Sequence, residues 1–183
     1  MKQTLKIFTD GACSGNQSDQ NLGGWGAILV YGAHRMELFG GEVNTTNNRM
    51  ELTALLRAFE AVIKDGQSIE IYSDSAYLVN CFRGRWYQKW RENGWETTKK
   101  TPVENRDLWE SLLPYLSRHR VLFYRVRGHI NLRSKKLDLD SHFLKFSETN
   151  GASFTKDDFV YVVEMNNLAD ALANKGIESV KPT

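Results

Sequence analysis

Three strand-like segments at the start of this chain are followed by segments in which strand and helix patterns alternate, and that order leaves few folds open. Leu5 to Asp10 reads as a short strand ending at Gly11. Gly24 to Tyr31 and Arg35 to Val43 flank Gly32-Ala33-His34, a tight turn, so the first three strands are expected to form an antiparallel meander. Ser68 to Ser73 and Val121 to Arg127 read as two later strands with helical stretches between them. Strands joined through helices favour right-handed crossovers and parallel neighbours. The expected fold class is α/β: a mixed five-stranded sheet flanked by helices.

The helices have recognisable signals. Asn44-Thr45-Thr46-Asn47-Asn48 is a cluster of N-cap residues, opening a helix expected to run to about Gly66 with Leu55, Ala58 and Val62 on its buried stripe. Tyr77 to Cys81 and Arg85 to Arg91 read as helical. So do Asp107 to Leu116, interrupted by Pro114, and Leu168 to Lys175, closed by Gly176. At 183 residues the chain has the size of one domain and needs no metal or disulfide staple. Cys13 and Cys81, without a CxxC pair, exclude a disulfide scaffold and a cysteine zinc site. The first residues carry no apolar h-region and no stretch approaches ~18 apolar residues, so the expectation is a cytoplasmic protein with no membrane partner. The net charge is only +2, so any affinity for nucleic acid must come from local charge.

Four acids stand where packing does not want acids. Asp10 ends the first strand and Asp74 follows a later one, and the carboxyl ends of parallel strands open onto ligand crevices. Glu51 shares its helix stripe with Leu55, Ala58 and Val62, and Asp170 sits among Leu168, Ala169, Leu172 and Ala173. Singly, each is more simply a turn residue, a cap or a dipole partner. Together they would repel one another, raising their pKa values or requiring a cation. Oxygen ligands without a His/Cys cluster point to Mg²⁺ or Mn²⁺ rather than zinc. Spacing alone leaves this a suggestion.

These residues fall inside five ordered motifs that resemble those of type 1 ribonuclease H. Thr9-Asp10-Gly11-Ala12-Cys13-Ser14-Gly15-Asn16, with Gly23-Gly24-Trp25-Gly26-Ala27 after it, is similar to that family's opening motif. Thr45-Thr46-Asn47-Asn48-Arg49-Met50-Glu51-Leu52 resembles its helix-opening signature. Ser73-Asp74-Ser75, Arg127-Gly128-His129 and Leu168-Ala169-Asp170-Ala171-Leu172-Ala173 follow in order. The resemblance covers residues 5 to 129 and about 166 to 176. It implies a ribonuclease H-like fold and an endoribonuclease that hydrolyses the RNA strand of RNA–DNA hybrids, leaving 5′-phosphate and 3′-hydroxyl ends. It implies that Asp10, Glu51, Asp74 and Asp170 hold two Mg²⁺ ions, with Mn²⁺ as an alternative, and that His129 assists proton transfer or product release. It also implies that Cys13, Asn16, Asn47 and Asn48 line the RNA minor groove, where the 2′-hydroxyl is read. Thr46 and Asn105 match positions that grip a phosphate of the DNA strand. The plain alternatives are a buried Cys13 and asparagines that only cap the helix.

Residues 83 to 106 carry seven Lys/Arg against three Glu, more positive charge than the whole chain shows net. Trp86, Trp90 and Trp95 are interleaved with it, and this segment resembles the family's basic protrusion, a cationic handle on the DNA backbone. Trp95 is expected to pack, while Trp86 and Trp90 face the DNA strand. The alternative is a solvated charged face over packed tryptophans.

Three departures accompany the resemblance. Ala76 replaces a longer side chain that often touches a base edge, and Asn166-Asn167 stands where relatives often carry Asn-Glu. Residues 131 to about 164 form an insertion before the last helix, within a single domain spanning 1 to 183. Phe143, Phe146, Phe154, Phe159 and Tyr161 predict that it packs on the domain; it is expected either to form a flap beside the active site that limits how His129 moves or to be a tolerated surface elaboration. Thr155-x-x-Asp158 resembles a capping box, but the Phe159 to Val163 run suits a strand equally well. Rival functions are a resolvase, transposase or reverse-transcriptase nuclease segment and a non-catalytic hybrid-binding module. The resemblance favours the monomeric hybrid nuclease, since a pure binder gains nothing from repelling carboxylates.

Overall fold

The computed structural model describes residues 3–15 and 20–183. Five strands form one sheet in the order β3-β2-β1-β4-β5. β1 (Leu5–Ser14), β2 (Leu22–Tyr31) and β3 (His34–Val43) make the antiparallel meander, while β4 (Ser68–Ser73) and β5 (Arg120–Arg125) join parallel to β1 and to each other. The mixed five-stranded sheet expected from the sequence is therefore present.

Alternation along the strands sorts the core into two layers. Ile7, Ala27, Leu29, Ile69 and Ile71 pack under α1 (Asn47–Glu60), α2 (Ala76–Arg83) and α4 (Arg106–Arg118), with α3 (Trp86–Glu92) at the margin. Phe8, Ile28 and Tyr72 face the other way, onto α5 (Leu139–Asn150) and α6 (Lys156–Ser179). Adjacent strand residues thus serve opposite layers.

Several expected boundaries moved. α1 ends at Glu60, before Val62 and Gly66. Pro114 does not interrupt α4, because Leu108, Trp109 and Leu112 bury its inner face and packing outweighs one lost backbone bond. α6 is 24 residues long and is capped by Thr155, whose side chain and that of Asp158 form a complete capping box. The Phe159 to Val163 run is helical, so the last part of the supposed insertion belongs to the closing helix. Gly176 does not stop that helix; a Cβ there would lie 2.0 Å from the Gly40 carbonyl oxygen. Its glycine lets the helix touch the sheet.

The helix α5 also closes a sheet edge. Asn150 accepts from the Arg125 N–H at 2.9 Å and donates to the Arg125 carbonyl at 2.7 Å. Arg83 donates to the Phe123 carbonyl at 2.7 Å and 3.0 Å and to Thr149 and Asn150 at 3.0 Å and 2.8 Å. Arg83 is therefore a clamp between β5 and α5, a contact that its position in the basic segment did not suggest. Side chains here occupy backbone groups that would otherwise invite another strand. Asn150→Ala is expected to destabilise by about 1–2 kcal/mol, read from the denaturant midpoint, because it orphans two edge groups at once.

Candidate active site

The parallel ladder between β1 and β4 ends at the Thr9–Ser73 pair. Asp10 is the next residue on β1 and Asp74 the residue just after β4, where the two segments part. Asp10 does not end its strand: β1 continues to Ser14, paired only with β2. Gly11 lies so close to α1 that a Cβ would meet the Glu51 backbone nitrogen at 2.4 Å. That approach sets Glu51, in the first turns of α1, beside Asp10. Thr46 caps the helix, its hydroxyl accepting from the Arg49 N–H at 3.1 Å, and Ser75 caps α2 in the same way.

One carboxylate oxygen from each of Asp10, Glu51 and Asp74 lies within 4.8 Å of the other two. Asp10 and Glu51 are buried, and Glu51 Oε2 has no hydrogen-bond partner among the described residues. Burial, then the Asp74 charge and contact with Asp170, push the Asp10 carboxyl up to about 8. Burial, then the charges of Asp10 and Asp74, hold Glu51 well above the ordinary range. Asp74 is raised by burial, against the lowering effects of Asp10, His129 and Asn166. An unpartnered buried oxygen beside two further acids suits a hard divalent cation.

Asp170 approaches from α6, half-buried, with Asn174 one turn on donating to its carbonyl at 3.0 Å and its carboxylate at 3.3 Å. His129 is exposed on the loop after β5, in left-handed backbone with φ 58°. Both line one open cleft of about 510 Å³ with Asp10, Glu51, Asp74, Cys13, Asn47 and Asn48. Cys13 is half-buried rather than enclosed. Asn16 lies outside the described residues.

Other expected positions stand apart from this cleft. Thr46 and Asn105 precede α1 and α4, whose first turns are joined by Arg49, bonded to Asp107 at 3.1 Å and 2.9 Å. Trp86 is exposed and Trp90 half-buried; both border a separate cleft with Lys89 and Lys100, although Trp90 also packs edge-on against Trp109 at 5.4 Å. Trp95 is buried, as expected. The amide of Asn167 donates to the Ile130 carbonyl at 2.9 Å, so it anchors the loop after His129. Asn174 was missed in the sequence, although its i+4 spacing from Asp170 is the signal that could have found it.

A family model described as RNase H matches residues 2–139. The Ribonuclease H of Chlorobaculum parvum is 51% identical over 129 residues, covering 70% of this chain and 86% of that protein. That of Moorella thermoacetica is 55% identical over 125 residues, 68% of this chain and 80% of that protein. Among solved structures, LC9-RNase H1, described as a type 1 RNase H with the type 2 active-site motif, is similar with a TM-score of 0.71 at 23% identity, over 99% of this chain and 75% of that one. That likeness concerns the fold. Among the described residues no helix is long and apolar enough to cross a membrane.

Proposed function

The chain belongs to the ribonuclease H family and is an endoribonuclease, and from that premise we propose that it hydrolyses the RNA strand of RNA–DNA hybrids by a two-metal-ion mechanism, leaving 5′-phosphate and 3′-hydroxyl ends. One observation carries the reading: three carboxylate oxygens within 4.8 Å of one another, with Glu51 Oε2 buried and unpartnered among them. Asp10, Glu51 and Asp74 hold the ions, and Asp170 completes the set from the neighbouring helix. Two bound Mg²⁺ ions, or Mn²⁺ with the same oxygen preference, supply a strong nucleophile at neutral pH and neutralise charge on the phosphate and the departing 3′-oxygen.

The remaining roles belong to the chain itself. His129, on a loop at the rim, carries a proton to or from the reacting phosphate. Cys13, Asn16, Asn47 and Asn48 read the 2′-hydroxyls, and the shared cleft of Cys13, Asn47 and Asn48 with the acids supports this. Thr46 and Asn105 hold a DNA-strand phosphate at neighbouring helix starts, where free N–H groups favour anions. Trp86 and Trp90, with Arg85, Lys89, Lys99 and Lys100, form the DNA handle of a single-domain monomer.

A cleavage assay on matched RNA–DNA, RNA–RNA and DNA–DNA duplexes, with and without Mg²⁺, tests the reading. Cutting of the hybrid's RNA strand alone, and only with metal, is the expected result; equal cutting of double-stranded RNA or metal-free cutting would sink it. Neutralising Arg85, Lys89, Lys99 and Lys100 together is expected to raise KM and lower the slope of log affinity against log salt by up to ~4. An unchanged slope would reduce the handle to a solvated surface.

A further inference from the structure

A second cleft, of about 320 Å³, opens on the far side of Asp74 from the carboxylate site. Its walls are the end of β5 and the segment after it, with Arg125 and Arg127, and the helix α5, with His142 and Lys145; Phe146 is also in its lining. The two clefts share Asp74, and the Gly128–His129 loop runs between them. A Cβ at Gly128 would lie 2.3 Å from an Asp74 carboxylate oxygen, so the loop passes against that side chain.

The charge in this cleft is unspent. Among the described residues, Arg125, Arg127 and Lys145 have no ion-pair partner, and all three are exposed. None of the acids of residues 131–164 lines the cleft, and three are engaged elsewhere: Asp138 caps α5, Asp140 pairs with Lys156, and Asp158 caps α6. The cationic wall is thus shared: Arg125 and Arg127 come from the end of β5 and the segment after it, and α5 adds Lys145. Asp74 is the lone acid in the lining, and in the proposed function metal neutralises it.

We infer that this cleft binds phosphates of the RNA strand next to the scissile one, extending the substrate site onto the inserted helix. The inference rests on the hybrid-nuclease reading, because a strand held at the carboxylates and leaving past Asp74 enters this cleft directly. Three cations around a small cleft match the phosphate backbone, and their role is independent of base sequence.

The test walks a single neutral methylphosphonate linkage along the RNA strand of a hybrid, and separately along the DNA strand, using wild-type protein and the Arg125→Gln/Lys145→Gln variant. In wild type, one or two RNA positions flanking the cut are expected to raise KM about threefold to tenfold. In the variant the unmodified hybrid shows that loss already, the same RNA positions cost nothing further, and the salt slope falls by about 1–2. Arg127→Gln serves as a second variant, and unchanged melting temperatures verify folding. Strictly additive losses at every RNA position, or non-additivity confined to the DNA strand, would overturn the inference while leaving hybrid cleavage intact. Failure of wild type to cut the unmodified hybrid would instead refute the reading beneath it.

Discussion

Asp10→Asn is expected to abolish hybrid cleavage while raising the melting temperature of the metal-free protein. Loss of a partner that merely orients a metal ligand costs ~10–100-fold, so loss of a proposed ligand should exceed that range. The stability gain follows from the position of Asp10, whose carboxyl is pushed up to about 8 by burial and by Asp74. A group raised in the folded state contributes stability below its unfolded value, about 3.8, and that contribution is lost as pH rises through the folded value. Metal-free wild type should therefore weaken between roughly pH 4 and pH 8, by an amount on the order of a few kcal/mol. Asp10→Asn removes this share of the slope and relieves Glu51. Metal binding requires the ionised forms, so affinity for Mg²⁺ should tighten, with proton release, as pH rises through the same range. Melting curves in EDTA from pH 5 to 9, with titration calorimetry of Mg²⁺, provide the check. Wild-type cleavage by Asp10→Asn, or a steeper pH slope in that variant, would contradict the ligand assignment.

Phe159→Ala is expected to destabilise the protein by about 3–5 kcal/mol, the range for truncating a large buried aromatic. Phe159 is 1% exposed and packs at 5.1 Å from Phe146, joining the inserted helix to the layer beneath Phe8 and Tyr72. For a chain of this length the loss should lower the melting temperature by ~10 °C or more. A shift below about 1 kcal/mol would mean that α5 and the first turns of α6 are held loosely. The same packing implies that replacing 131–164 by a short loop removes part of the core, which makes that deletion a poor probe of catalysis.

The insertion shows where reading by residue type fell short. Its aromatic residues correctly announced that it packs on the domain, and it does stand beside Asp74. Its helices were not legible, because a β-branched run such as Val160 to Val163 suits strand and buried helix equally, and burial on one face decides between them. Arg83 misled for a related reason: local charge placed it in the basic segment, whereas its bonds reach Phe123 and Asn150, 40 and 67 positions away. Gly176 had the look of a helix stop and proved to be a contact point with the sheet.

The sequence by itself determined the strand order of the meander, the helix start around Thr46 and the four acids, since these depend on short-range period, cap chemistry and an ordered set of motifs. Ser68–Ser73 came out with its bounds unchanged because Gly66 and Asp74 punctuate it locally. Tertiary structure alone decided how near the acids lie. Asp10, Glu51 and Asp74 meet only because the β1–β4 ladder ends between Thr9 and Ser73 and because Gly11 lets α1 lie against β1. It also decided which cations stay unpaired among the described residues, as Arg125, Arg127 and Lys145 do while Arg83, Arg49 and Lys156 are engaged. Pairing depends on side chains brought together from distant positions, and a charge count along the chain carries no information about distance in space.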